Sequence, residues 1–529
     1  MVNPTRRRFL WVLAGSIPGA ALLTTWLRNR KNVGPVSLGA LDKDERFDVC
    51  IAGSGPAGAI LACELVRHGI KTLILEAGGV RDETFKAKDV RFEGSRGTSS
   101  QELSYPLDST RYIAIGGTSN VWGGFCPRLH PGDFRGGNSY SANNEPWPVG
   151  YQELEPYYTR AEEELYVRGG DVSRYSPPRQ KPYRLTAHTA AEIARSSGFL
   201  KKAGYTIEPP PLSDWNGRPI KTAESHLAKC AQSRPGQLAQ GTRVTRILPG
   251  GNGTIGGFQV QTVDGLKKSI SSRFFVVACG GIETPRLLLL SRSREFPRGI
   301  GNDYDLVGRH FMDHIQLAGQ GWKEDAASGL GEESTEAISW QFYEEFKSSG
   351  YGGVVMEFNS VTSQAELRTL GVSPILEMEP SPWNRVVLDE EQHDAFGNPK
   401  PRVTLRLSGR DAETIRRAQS LMMKVLSDAG MSRKEVSGLL NWNHHHIGTC
   451  RMARSPQAGV VDENLKVNGT DNLYVAGSAP FVTSGASAPT LTIVALSLRL
   501  ADHLVEKVKG AKSAGIGLPS AGCEAVSLS

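Results

Sequence analysis

Apolar and polar positions along this chain switch between two periods. Residues 47–53 form a short apolar run, residues 57–68 repeat apolar positions at helical spacing, and residues 71–77 are apolar again. That succession predicts strand, glycine turn, helix and strand, a βαβ unit. "RFFVVACGGIETPRLLLLS" predicts a strand, a turn at Gly280 and Gly281, and a helix capped by Thr284 with Pro285 at its first position. "DNLYVAGSAPFVTSGASAPTLTIVALSLRLADHL" predicts another strand and turn, then a long helix from about Thr490 to Val505. Between these, "EMEPSPWNRVVLDEEQHDAFGNPKPRVTLRLS" alternates apolar and polar residues as half-buried strands do. Trp340, Phe342, Trp383 and Trp442 are read as core residues.

The two ends follow neither period. "TRRRFLWVLAGSIPGAALLTTWLRNRK" carries the twin arginine Arg6 and Arg7, then Phe9 and Leu10, then an apolar run to Leu27. Residues 1–31 read as a twin-arginine export signal, and the run is also of a length that spans a bilayer. The folded body is therefore expected in the periplasm or cell envelope, with the N-terminal segment as a membrane contact if it is retained. Residues 32–46 form a polar linker, and the small, polar residues 509–529 read as a flexible tail.

At 529 residues the chain exceeds what one core of ordinary size organises, so at least two domains are expected. Its net charge of +6 is small for that length, and no stretch interleaves basic with aromatic residues, which argues against a nucleic-acid partner. The seven cysteines are scattered and form no C-x-x-C or C-x-x-C-H pattern, so no zinc ribbon, iron–sulfur cluster or attached haem is encoded.

Candidate chemistry begins at the first turn. Gly53, Gly55 and Gly58 form a G-x-G-x-x-G fingerprint between strand and helix, and Glu76 closes the second strand. Gly53 permits the tight turn, Gly55 lets backbone approach a pyrophosphate, Gly58 lets helix and strand pack, and Glu76 can accept from a ribose hydroxyl. The fingerprint does not choose between FAD and NAD. "IGGTSNVWGG", residues 115–124, is a second glycine-rich turn, with few side chains to obstruct a flat ring system.

"NWNHHHIGTCRM" sets three histidines in a row at 444–446. They could be metal ligands, a surface run or the base of a redox site. Neighbours in an extended segment point to opposite sides, so the three cannot converge on one ion, and no metal is expected.

Taken in order from Phe47 to Val505, these motifs resemble the glucose-methanol-choline (GMC) oxidoreductase family. The resemblance implies an α/β fold: a Rossmann-like FAD-binding domain with an inserted α+β substrate domain built on an antiparallel sheet. The FAD domain would be discontinuous, 47–159, 220–311 and 441–508, with 160–219 and 312–440 forming the substrate domain. It implies noncovalent FAD, because relatives that attach it place His where this chain has Val121. Cofactor contacts would come from Gly53, Gly55, Gly58, Glu76, Gly116, Gly117, Asn120, Trp122, Gly123, Val244, Gly280, Gly477, Pro489 and Thr490. His445 would take the hydroxyl proton of an alcohol or sugar while hydride passes to flavin N5. The residue before "PTLTI", where relatives carry a second polar group, is Ala488, which leaves three readings: His444, Asn443 or Ser487 substitutes, the pocket handles a different donor, or the oxidative half-reaction is impaired. Electrons would pass to a quinone or a cytochrome; Trp122 in the second glycine turn resembles dehydrogenases more than oxidases. The alternative that Ala488 keeps open is a lyase or a redox-inactive FAD protein.

Overall fold

A computed structural model describes residues 37–41, 46–79, 91–95, 105, 107, 110–135, 145–183, 198–230, 236–323, 332–363, 366–438 and 441–514. The expected leader, residues 1–31, lies outside them. No described helix is long and apolar enough to cross a membrane.

Five strands form one parallel sheet in the order Leu473–Val475, Ser272–Val277, Phe47–Ala52, Thr72–Leu75, Gly236–Ala239. Every residue of Phe47–Ala52 and Thr72–Leu75 is buried, which is why these strands read as continuous apolar runs without alternation. From the central strand the chain builds outward to one side, then returns to build the other. The order therefore reverses between Phe47–Ala52 and Ser272–Val277, and a crevice opens beyond their carboxyl ends, where open α/β sheets bind ligands. Helices Pro56–Arg67 and Tyr151–Glu164 pack on the C-terminal helix, with the Tyr158 hydroxyl 2.9 Å from that of Thr492.

Two helix boundaries differ from the expectation. The third-turn helix spans Gly280–Leu290, so Thr284 and Pro285 lie inside it and Gly280 and Gly281 begin it. Pro285 cannot donate to the carbonyl of Gly281. The Thr449 hydroxyl donates to that oxygen instead, at 2.7 Å, so a neighbouring loop removes the penalty that made the proline look like a helix start. The C-terminal helix runs Thr490–Ser513, so residues 509–513 of the expected tail are helical; the rest of the tail, 515–529, lies outside the described residues.

A second, antiparallel sheet has the order Glu332–Ser339, Val354–Ser363, Glu366–Leu376, Ile315–Gln316, Asn441–Trp442, with Gly319–Trp322 and Arg433–Val436 added beside Glu366–Leu376. Helix Gly409–Asp428, capped by a Ser408–Asp411 capping box, covers one face by burying Met422, Val425 and Leu426 against Leu370 and Val372. On the other face Ile338, Trp340, Tyr343 and Val355 pack on Ala486, in the loop ahead of the C-terminal helix. The sheet is thus a roof over that loop. Trp340 and Trp442 are buried as expected, whereas Trp383 is 70% exposed at an edge where no strand covers it. The expected boundary at residues 159 and 160 cuts helix Tyr151–Glu164, whose Leu154, Tyr158 and Ala161 belong to the same core as the parallel sheet.

Gly53 stands at φ +100°, and a Cβ there would lie 2.5 Å from the carbonyl oxygen of Ala278. Gly53→Ala is expected to cost more than about 2 kcal/mol from the backbone conformation alone and to push the two central strands apart. The purified variant should show a lowered thermal-unfolding midpoint and retain no flavin, checked by calorimetry and flavin absorbance per protein.

Candidate active site

The glycine turns converge beyond the two central strands. A Cβ on Gly58 would lie 2.1 Å from the Gly53 carbonyl oxygen, so the helix approaches the strand as only glycine allows. Gly55, Gly123, Gly280 and Gly477 behave oppositely: a Cβ on any of them would meet nothing within 4 Å. Their bare backbone lines open space, a cradle that side chains would fill and a flat ligand can enter. Gly116 and Gly117 take positive φ and turn the chain against Gly55, where a Cβ on Gly117 would sit 3.0 Å from its Cα. Asn120 braces this turn by donating Nδ2 to the carbonyls of Ile115 and Gly117, both at 2.9 Å, and Trp122 anchors its far end by donating to Ile220 at 2.8 Å.

Helices Pro56–Arg67 and Thr490–Ser513 both begin at this crevice without a side-chain cap or an acid in the first turn, and Pro489 ends the loop that delivers the second. Their first amides are left for an anionic ligand. Glu76 accepts from the amide and hydroxyl of Ser54 at 2.9 and 2.6 Å through one oxygen, and from the Gly78 amide at 2.8 Å through the other. Burial pushes its carboxyl up, and these bonds oppose the shift. Val244 follows Thr242, whose amide donates to the Glu76 carbonyl at 2.8 Å, and is half-buried beside it. The crevice fits a dinucleotide: the first helix's N-terminus would hold a pyrophosphate, and the one remaining lone pair of Glu76, on Oε1, would accept from a ribose hydroxyl.

Across the crevice the three histidines diverge. His444 takes φ +61°, so the segment is not extended there as assumed from sequence, and its exposed ring stands edge-on to Tyr105 at 6.5 Å. His446 turns into the core and stacks on Phe311 at 5.8 Å. His445 turns toward His314, the two Nδ1 atoms 2.9 Å apart. Nε2 of His314 lies 3.1 Å from the Ser484 carbonyl oxygen, in the loop under the roof. Asp313 ties both histidines to one place: it accepts from the amides of His314 and His445, each at 2.7 Å, and from the Tyr105 hydroxyl. Burial holds His445 well below the usual histidine value, with the neighbouring histidines acting the same way, and holds His314 down to about 4. Ligand atoms of Asp313, His314 and His445 fall within 4.8 Å of one another, a spacing that could also hold a cation. The carboxylate is already occupied by amide and hydroxyl donors and the imidazole nitrogens face each other, so the cluster reads as hydrogen-bonded.

Two models named GMC oxidoreductase match residues 72–316 and 380–497, and one named FAD binding domain matches residues 46–91. The chain belongs to the GMC oxidoreductase family. It is similar to the fructose dehydrogenase large subunit of Gluconobacter japonicus, 27% identical over 87% of this chain and 98% of the relative. It is also similar to 6'''-hydroxyparomomycin C oxidase of Streptomyces lividus, 28% identical over 91% and 97%. Its fold is shared with pyridoxine 4-oxidase from Mesorbium loti, TM-score 0.64 at 20% identity, covering 87% of this chain and 99% of that one. This GMC chain is thus an FAD-binding oxidoreductase that acts on CH–OH groups.

Among the substitutes expected for the polar group missing at Ala488, Ser487 is corrected: its hydroxyl is fully buried and donates to the Arg128 carbonyl at 3.0 Å, turned away from the crevice. Asn443 is half-buried two positions before His445, with its backbone amide donating to the His314 carbonyl at 3.3 Å and its Nδ2 without a partner among the described residues. Asp313, His314 and Tyr105 were not picked out from sequence. Their one signal is the acid–histidine pair in "FMDHIQ", ahead of a strand, but 131 positions separate His314 from His445.

Beneath the loop lies a buried ion group also missed. Lys347 pairs with Glu377 at 2.7 Å and Asp133 at 3.2 Å, and Asp133 also accepts from Tyr343. Burial works against the ammonium, but Glu377 and Asp133 hold its pKa above the ordinary value. The Asp133 carbonyl accepts from Thr483 at 3.3 Å, so the group fixes the loop that presents Ser484. Lys347→Met leaves two buried acids uncompensated and is expected to cost about 3–5 kcal/mol, read as a drop in thermal-unfolding midpoint of the holoprotein.

Proposed function

We propose that this GMC oxidoreductase oxidises a CH–OH carbon of a sugar, polyol or other small alcohol, with His445 as the base that takes the hydroxyl proton. The observation that carries the reading is His445 itself: a half-buried imidazole at the rim of the crevice, its pKa held well below the usual histidine value by desolvation, and its ring held from behind through Nδ1. FAD, when bound, supplies the hydride acceptor. The chain's residues hold the cofactor at the glycine cradle, exclude water under the roof sheet, and remove the proton. Ile338, Trp340, Val355 and Ala486, all buried, pack the roof sheet onto the loop ahead of the C-terminal helix and so hold the roof in place. Support for the donor class comes from the relatives named for fructose and for 6'''-hydroxyparomomycin C.

FAD is held noncovalently in this reading, because Val121 provides no nucleophile where attached relatives carry histidine. Electrons then leave to a quinone or to a separate cytochrome. The word "subunit" in the name of the fructose dehydrogenase relative is consistent with such a partner. The twin arginine at Arg6 and Arg7 supports a location in the periplasm or envelope, with membrane attachment if the leader is retained.

The test is anaerobic flavin reduction against a panel of sugars, polyols and alcohols, with and without a quinone analogue. One class of donor should bleach the flavin, and His445→Ala should slow bleaching by about a hundredfold to ten-thousandfold. Bleaching unchanged in the variant, or a flavin reducible only by dithionite, would sink the assignment and favour the lyase reading. Turnover driven by oxygen alone would replace the quinone or cytochrome with an oxidase.

The pH dependence follows from the depressed value of His445. A base fails when protonated, so the rate falls as pH drops through its pKa. Because burial holds that pKa well below 6.5, reduction should be level from about pH 6.5 upward instead of rising there as an ordinary histidine would require. A stopped-flow pH profile of flavin reduction checks this.

A further inference from the structure

We infer that His314 is a positioning residue that fixes which nitrogen of His445 serves as the base. This rests on His445 acting as proposed above, but the argument is about protons and stands on two distances. A backbone carbonyl can only accept. Nε2 of His314, 3.1 Å from the Ser484 oxygen, therefore carries a hydrogen and donates it. Burial keeps His314 neutral, so its single hydrogen is spent at Nε2 and Nδ1 holds a lone pair. That lone pair faces Nδ1 of His445 at 2.9 Å, and the contact is a hydrogen bond only if His445 supplies the hydrogen. His445, also neutral, then has its hydrogen at Nδ1 and a bare lone pair at Nε2. One backbone carbonyl thus sets the tautomer of two rings in sequence.

The geometry leaves the rings little room for the opposite arrangement. Reversing His445 alone would bring two lone pairs to the same 2.9 Å contact, and reversing His314 alone would bring two N–H groups there. Reversing both rings would leave a lone pair of His314 against the Ser484 oxygen, a repulsion between two buried acceptors. Rotation is restricted too: the rings cross at 81°, and Asp313 pins both backbones through their amides at 2.7 Å. Ser484 is itself fixed, since its hydroxyl accepts from the Met378 amide at 3.2 Å and its neighbour Thr483 is held by Trp147 at 2.9 Å.

A neutral imidazole in this place does something a carboxylate would not. An acid hydrogen-bonded to Nδ1 would stabilise the imidazolium and raise the affinity of His445 for protons. His314 orients the ring while adding no negative charge. The acid that is present, Asp313, spends its oxygens on amides and on Tyr105 and reaches neither ring nitrogen.

Nitrogen-15 NMR of histidine-labelled holoprotein near neutral pH reads the tautomer directly and needs no substrate. The wild type is expected to show His445 protonated at Nδ1 and bare at Nε2; the opposite tautomer would overturn the inference. His314→Leu removes the acceptor with little change in volume, and His314→Asn restores one, since its side-chain oxygen occupies the place of Nδ1. In the leucine variant the His445 signals should become those of mixed tautomers, and kcat should fall about 10–100-fold with KM little changed. The asparagine variant should recover most of both. Equal kcat and an unchanged tautomer in the leucine variant, or no recovery with asparagine, would overturn it. If no donor reduces even the wild-type flavin, the oxidation reading fails while the NMR result still decides the role of His314.

Discussion

The site depends first on how closely backbone approaches backbone at the carboxyl ends of the two central strands. Gly53 against Ala278, Gly58 against Gly53 and Gly281 against the His446 carbonyl would each bring a Cβ within 2.5 Å of an oxygen. These contacts set the width of the crevice and bring the histidine segment onto the start of helix Gly280–Leu290. The Thr449 hydroxyl then satisfies the Gly281 carbonyl that Pro285 leaves open. The glycine turns and His445 are consequently placed by one set of close contacts, and a Cβ on Gly55, Gly280 or Gly477 would meet nothing within 4 Å.

Behind the base the structure is polar and ordered in layers. The Lys347 group fixes the loop at residues 483–485, that loop presents a carbonyl to His314, and His314 faces His445. Each layer is buried, so each hydrogen bond is made in a medium where the alternative is an unsatisfied group. The same burial keeps the imidazoles neutral at working pH. Apolar packing holds the roof, where the buried Ile338, Trp340 and Val355 meet Ala486 in the loop beneath.

Much of this was legible in the chain because the signals are local. The first βαβ unit shows in its apolar runs, its glycines and Glu76, since turn geometry and phosphate approach demand particular residues at fixed spacing. The ordered motifs together pointed to the GMC family, which the family comparison shows. Local signals misled where a distant partner changed the rule: Pro285 looked like a helix start, but Thr449 supplies the missing bond, and Ser487 looked available, but its hydroxyl donates to the Arg128 carbonyl.

The sequence by itself determined the parallel sheet, the glycine turns and which residue types could do redox chemistry, because backbone sterics and periodicity act over a few positions. Only the tertiary structure decided that His445 of three adjacent histidines faces a second histidine 131 positions away. It also decided that Asp313 serves amides and not a ring, and that Ser484 presents its carbonyl to His314. Hydrogen-bond direction depends on which donors and acceptors meet in space, and in a chain folded from discontinuous segments that pairing is written in no single stretch of sequence.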